Sequence, residues 1–160
     1  MTPKDIELLK QAVEIARRAR QNGNHPFGAL LTDKDGNILL TAENTVVSQK
    51  DCTGHAETNL MRLASHQYDP DFLSHCTLYT STEPCAMCSG AIYWGGVGRV
   101  VFALSESELL DMTGDDPENP TFSLPCREVF ARGQRPTQVD GPYNLPAARE
   151  VHMGFWRKES

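Results

Sequence analysis

Long apolar runs, internal repeats and an excess of positive charge are all absent from this 160-residue chain. Without about 20 consecutive apolar residues no helix can span a bilayer, and the N-terminus reads directly as an amphipathic helix, not as a secretion signal. Fifteen Lys and Arg against 21 Asp and Glu give a formal charge of -6. That balance disfavours a broad nucleic-acid footprint, because phosphate contacts need clustered cations. The one basic cluster, Arg17, Arg18 and Arg20, falls near the carboxyl end of the first predicted helix and reads as a solvated face. Cysteine is scarce and odd in number, five in all. An odd count cannot pair off into a complete disulfide framework. The expected compartment is reducing and cytoplasmic, with Cys76 and Cys126 as buried thiols. A hydrophobic content of 39% without repeats leaves one domain over residues 1–160, large enough for a proper core.

What the chain does have is a pair of short motifs, His55-Ala56-Glu57 and Pro84-Cys85-Ala86-Met87-Cys88. One imidazole and two thiolates suit Zn²⁺, and three protein ligands leave a fourth tetrahedral position for a water whose pKa the metal lowers toward ~7. Cys85 and Cys88, three apart, share one face if Pro84 precedes a helix, whose first turn favours thiolate over thiol. His55 and Glu57, two apart, would diverge on the side of a helix. They converge only if the metal sits over its N-terminal end. The site is therefore expected where two helix N-termini meet, with Glu57 shuttling protons beside the ligands His55, Cys85 and Cys88. A closed structural site is the alternative: Cys52, three before His55, would complete a Cys3His set with no place for water. The long separation of the two pairs, residues 56–84, and the idle Glu57 speak against it.

Along the chain, Thr2 and Pro3 start a helix whose apolar stripe is Ile6, Leu9, Val13, Ala16 and Ala19, with Gly23 as its stop. Residues 27–32 and 37–42 flank Asp33-Lys34-Asp35-Gly36 as a hairpin, and 45–54 read as loop. A helix is expected over 55–66, a strand over 76–81, a helix over 85–94 and a strand over 99–104. Helical crossovers make the later strands parallel, sandwich the sheet between helices and place ligands at the carboxyl ends of strands. Residues 105–143 show little periodicity, and 115–120 must be a loop. The tail over 144–156 reads as a short amphipathic helix ending in Phe155 and Trp156, docked as core or lining a pocket.

From about Ala12 to Ala103 the chain resembles the cytidine-deaminase-like zinc deaminases, whose HxE and PCxxC signature it carries. Within them it is most similar to the bacterial guanine deaminase branch, through Pro26-Phe27-Gly28-Ala29, Asn44 and the stretch from Leu78 to Trp94. The resemblance implies an α/β fold, a three-layer α-β-α sandwich with a mixed five-stranded sheet. It implies Zn²⁺ as cofactor and hydrolytic deamination of a purine base, guanine to xanthine and ammonia. It surrounds the base with Phe27, Asn44 and Trp94, makes Asp116 a second proton shuttle, and implies a homodimer in which the segment 105–160 is exchanged and closes the partner's site. Gly54 departs from the branch, which usually has Ala there, and residues 117–160 match it weakly. Each carried residue also has an ordinary use: Asn44 in a turn, Phe27 and Trp94 in the core, Asp115 and Asp116 as solvated loop carboxylates. A tRNA adenosine deaminase, a cytosine or nucleoside deaminase and a zinc-stabilised binding module are the rival functions.

Overall fold

Helix α1 (Pro3–Gln21) begins as its sequence dictates: the Thr2 hydroxyl accepts the Asp5 N–H at 3.1 Å while the Asp5 carboxylate accepts the Thr2 N–H at 2.9 Å. These two bonds satisfy reciprocal donors at the helix start. Leu9, Val13, Ala16 and Ala19 of the expected stripe are buried, joined by Leu8, Ala12 and Ile15. Ile6 lies at the margin, half-buried, and Asp5 is buried instead. The reason is a charge partner: Arg99 meets both Asp5 oxygens at 3.0 Å and the Tyr79 hydroxyl donates at 2.6 Å. Burial works against the charge, yet the Arg99 guanidinium and Tyr79 hydroxyl hold the Asp5 carboxyl well below the usual carboxylate range.

The computed structural model describes residues 1–156; the last four residues of the expected 105–160 segment lie outside them. Five strands, β1 (Gly28–Thr32), β2 (Ile38–Glu43), β3 (Thr77–Thr82), β4 (Arg99–Leu104) and β5 (Gln138–Asp140), form one sheet in the order β2-β1-β3-β4-β5. β1 runs antiparallel to β2 and β3, while β4 runs parallel to β3 and to β5. Between them lie α2 (Val46–Gln49), α3 (Ala56–Gln67), α4 (Pro70–Leu73), α5 (Ala86–Gly95), α6 (Glu106–Thr113) and α7 (Cys126–Ala131), and α8 (Pro146–Glu150) follows.

Strand alternation divides the core into two layers. Leu30, Tyr79, Val101 and Ala103 pack under α1 and α8. Ala29, Leu31, Leu78, Val100 and Phe102 pack under α3, α5 and α7. The sheet is thus covered on both faces, the three-layer arrangement read from the sequence. Cys76 and Cys126 are buried thiols, as expected. α1 comes close to the sheet at Gly28, where a Cβ would stand 2.4 Å from the Ala16 nitrogen and 2.5 Å from the Ala12 oxygen. Only a residue without a side chain lets helix and strand approach so far. Among the described residues no helix is long and apolar enough to cross a membrane.

Differences from the sequence reading concentrate in short elements. The 45–54 loop holds the one-turn α2, whose Val47 and Ser48 N–H groups are accepted by Asn24 Oδ1 at 3.1 and 2.9 Å. The aperiodic 105–143 stretch contains α6, α7 and β5, each eight residues or fewer. The tail is helical only over α8, after which the chain turns so that Arg20 donates to the carbonyls of Val151 and Met153 at 2.8 and 2.7 Å. In this single chain the tail packs on its own α1. Trp156, 6% exposed, donates to His152 Nδ1 at 2.9 Å, and both rings back onto Phe27 at 6.0 and 5.3 Å between centroids.

His152 is held as a neutral acceptor: burial, aided by Arg20 and Arg149, pushes it down to about 3. The unfolded chain binds this proton near pH ~6.5 whereas the folded chain does not, so the contribution to stability is complete above that value and lost as pH falls below it. In urea unfolding between pH 7.5 and 5.5 this group alone should contribute a loss of stability of up to about 1.4 kcal/mol per unit as pH falls below ~6.5. His152→Gln should flatten that slope; an unchanged slope would place the titrating group elsewhere.

Candidate functional site

Two helix starts meet at the carboxyl end of β3. His55 is the N-cap residue of α3 and Cys85 the N-cap residue of α5, and neither side chain caps its own helix. Both are free to point at a common centre. The donor atoms of His55, Cys85 and Cys88 lie within 4.8 Å of one another, and His55 Nδ1 is 3.5 Å from Cys85 Sγ. Such a set fits zinc by donor chemistry and by convergence. The neighbouring Cys88 thiol and the His55 imidazole hold the Cys85 thiol down to about 4, so it stands as a thiolate. Hydrogen bonding to Cys85 in turn raises His55 and, together with burial, Cys88. The Thr58 hydroxyl lies 3.1 Å from Cys88 Sγ and steadies it.

Glu57, in the first turn of α3, is buried beside this centre. Burial, then the negative charge of Cys85, pushes its carboxyl up to about 7. A carboxyl poised there exchanges protons in both directions at neutral pH. Cys52 is exposed and stands outside the converging group, which removes the fourth ligand that a closed structural site requires. Gly54 also finds its reason: a Cβ there would come within 2.8 Å of Thr45 Oγ1, the hydroxyl that Asn59 of α3 engages at 2.9 Å.

Above the centre opens a cavity of about 360 Å³, at the small end of the ~300–1,000 Å³ of ligand pockets. His55, Glu57 and Cys85 line it, as do Phe27 and Asn44. Asn44 serves both uses read from the sequence, since its Oδ1 accepts the Val46 N–H at 3.0 Å while the residue faces the cavity. Trp94 does not join them. It is 80% exposed at the far end of α5, nine residues past Cys85 and so about 13 Å along the helix axis from the centre. Asp116 is buried, but the cavity wall is made by the loop it shapes: its Oδ1 accepts the Glu118 N–H at 2.9 Å, and Glu118, Asn119, Pro120, Thr121 and Phe122 face inward.

Three further lining residues escaped the sequence reading. His25 Nε2 lies 3.1 Å from Glu118 Oε1, tying the loop to the strand side of the cavity. Glu83 is buried and accepts the N–H of Glu106 and of Cys126, each at 2.9 Å. Glu106, at the start of α6, faces the cavity, and burial with the charges on Cys85 and Glu83 pushes its carboxyl up to about 8. For Glu83 a signal existed, because it directly precedes Pro84. Nothing in the spacing pointed to His25 or Glu106.

Metal analysis after exhaustive dialysis tests the ligand set. Cys88→Ser should lose most of its zinc, whereas Cys52→Ser should retain the parent's full complement. X-ray absorption showing three sulfurs around the metal would restore the closed site.

Residues 2–104 match the family model described as the cytidine and deoxycytidylate deaminase zinc-binding region. A probable cytosine deaminase of Schizosaccharomyces pombe is 40% identical over 156 residues, 98% of this chain and 94% of that protein. A guanine deaminase of Bacillus subtilis is 39% identical over 110 residues, 68% of this chain and 70% of that protein. Among solved structures, a guanine deaminase from Nitrosomonas europaea superposes with a TM-score of 0.74 at 27% identity, covering 94% of this chain and 82% of its own. The match spans the very residues that converge on the centre, and the chain belongs to the cytidine and deoxycytidylate deaminase zinc-binding family.

Proposed function

We propose that the chain is a hydrolytic deaminase of a free nucleobase and that its substrate is guanine, released as xanthine and ammonia. The observation that carries this reading is the small cavity that joins the ligand triad and Glu57 to the aromatic face of Phe27 and the amide of Asn44. Bound zinc would supply Lewis acidity and acidify a water toward neutral pH. Glu57 takes a proton from the attacking water and delivers it to the ring nitrogen beside the reacting carbon; it then takes the second proton from the oxygen now bonded to that carbon and passes it to the amine, which leaves as ammonia while the oxygen becomes the carbonyl. Phe27, braced from behind by His152 and Trp156, offers a flat face to the ring. Asn44, its Oδ1 engaged by Val46, has its amide nitrogen to donate to a base acceptor. Asp116 enters as the residue that shapes the 118–122 loop, and Trp94 stands outside the cavity of its own chain.

Cytosine is a second reading with an observation of its own. Similarity to the probable cytosine deaminase runs through the C-terminal third of the chain, whereas similarity to the Bacillus guanine deaminase spans 110 residues. Deamination within tRNA is disfavoured by the net charge of -6, which gives no counterion release to hold an RNA stem.

Ammonia release from guanine, cytosine, guanosine and adenosine in tRNA, assayed at low salt, separates these readings. Guanine should be turned over, and Glu57→Gln should lower kcat by ~10²-fold or more with the metal content unchanged. Turnover of cytosine without guanine would replace the first reading by the second. Inosine formation in tRNA would overturn both, and a metal-replete protein inactive on every substrate would be a binding module.

A further inference from the structure

Four carboxylates line the cavity, and three of them are committed. Glu57 belongs to the centre, Glu83 is taken up by two backbone N–H groups, and Glu118 faces His25. Glu106 differs: its carboxyl makes no hydrogen bond or ion pair among the described residues. Its backbone is nevertheless held firmly. Ser105 and Glu108 form a reciprocal capping pair at the start of α6, and Glu83 accepts the Glu106 N–H. A side chain on so fixed a base, directed into a binding cavity with nothing of the protein to bind, is placed to meet a ligand.

Its neighbours indicate which part of the ligand. Glu83 donates its N–H to the Leu104 carbonyl at 2.7 Å and accepts the Glu106 N–H at 2.9 Å, so Glu106 stands beside the turn that carries Cys85, on the reacting side of the cavity. In guanine the carbon that bears the amine is flanked by two ring nitrogens: N3, which takes the proton Glu57 delivers, and N1, which carries a hydrogen and adjoins the C6 carbonyl. In cytosine the corresponding carbon is flanked by one ring nitrogen and by a C–H. A second carboxyl beside the centre therefore has an N–H to accept from in guanine and none there in cytosine. We infer that Glu106 is a substrate-contacting residue that binds the N1–H and C6 carbonyl edge of guanine and favours guanine over cytosine. A protonated carboxyl accepts from N1–H with one oxygen and donates to the carbonyl with the other, and an ionised one accepts from N1–H.

The inference rests on the deaminase reading of the site, and 2-aminopurine isolates it. This analogue keeps the reacting carbon and its amine but lacks both the N1 hydrogen and the C6 carbonyl. The holoenzyme, Glu106→Ala and Glu106→Gln would be compared for zinc content and for kcat and KM on guanine, 2-aminopurine and cytosine. In Glu106→Ala the ratio of kcat/KM for guanine over 2-aminopurine should fall by about 10- to 100-fold, the scale of a buried donor and acceptor left unmet. Zinc content should hold, and Glu106→Gln, whose amide also accepts and donates, should recover most of the ratio. Equal losses on all three bases would make Glu106 a structural residue, and no loss would make it a solvated one; either overturns the inference alone. Absence of turnover by the parent protein would overturn the deaminase reading and this inference with it.

Discussion

The shape of the cavity depends on the carboxylate of Glu83, which accepts one backbone N–H from the start of α6 and another from the start of α7. Hydrogen bonds to an ionised acceptor are stronger than neutral ones, and these two satisfy amides that a helix start leaves without intrahelical partners. Because Pro84 and Cys85 follow directly, the same side chain ties the ligand-bearing turn to segments 23 and 43 residues further along. The walls that carry Glu106 and the lip formed by residues 118–122 are thereby set at a fixed height above the metal ligands.

Three other helix starts use a hydroxyl or a carboxylate as cap, Thr2, Asp69 and Ser105 each accepting an N–H from their own first turn, whereas Thr45, Pro125 and Leu145 at the short α2, α7 and α8 do not. His55 and Cys85 occupy the same position and decline that role. A cap is worth ~1 kcal/mol, and forgoing it twice marks these positions as chosen for chemistry over stability. In exchange the helix dipoles and free amides favour the thiolate that a metal requires.

How far the sequence disclosed this follows from what each feature needs. The motif spacing alone set the convergence of two helix starts, because residues two or three apart on a short turn leave few geometries open. The long elements with clear periodicity, α1, α3, α5, β3 and β4, lay within one or two residues of expectation. Short pieces such as β5 and α7 are held by what they pack against, Val139 beside Val100 and Phe130 in the core, and three to six residues are too few to display a period. Asp5 was hidden because an acidic residue is read as solvated until its partner, 94 residues away, is seen. Trp94 and Asp116 were carried by likeness of position, and the structure sets the first, exposed, outside the cavity of its own chain and the second, buried, in the turn that leads into the lip.

The tail described above stands behind the site like a wedge behind a door panel. Phe27 lines the cavity and leans on His152 and Trp156, and those two residues are kept in place by Arg20 gripping the carbonyls of the last turn. The position of the Phe27 ring is thus decided by side chains more than 120 positions distant in sequence. A nick between Val151 and Trp156 would leave the centre assembled and the ring recognition slack.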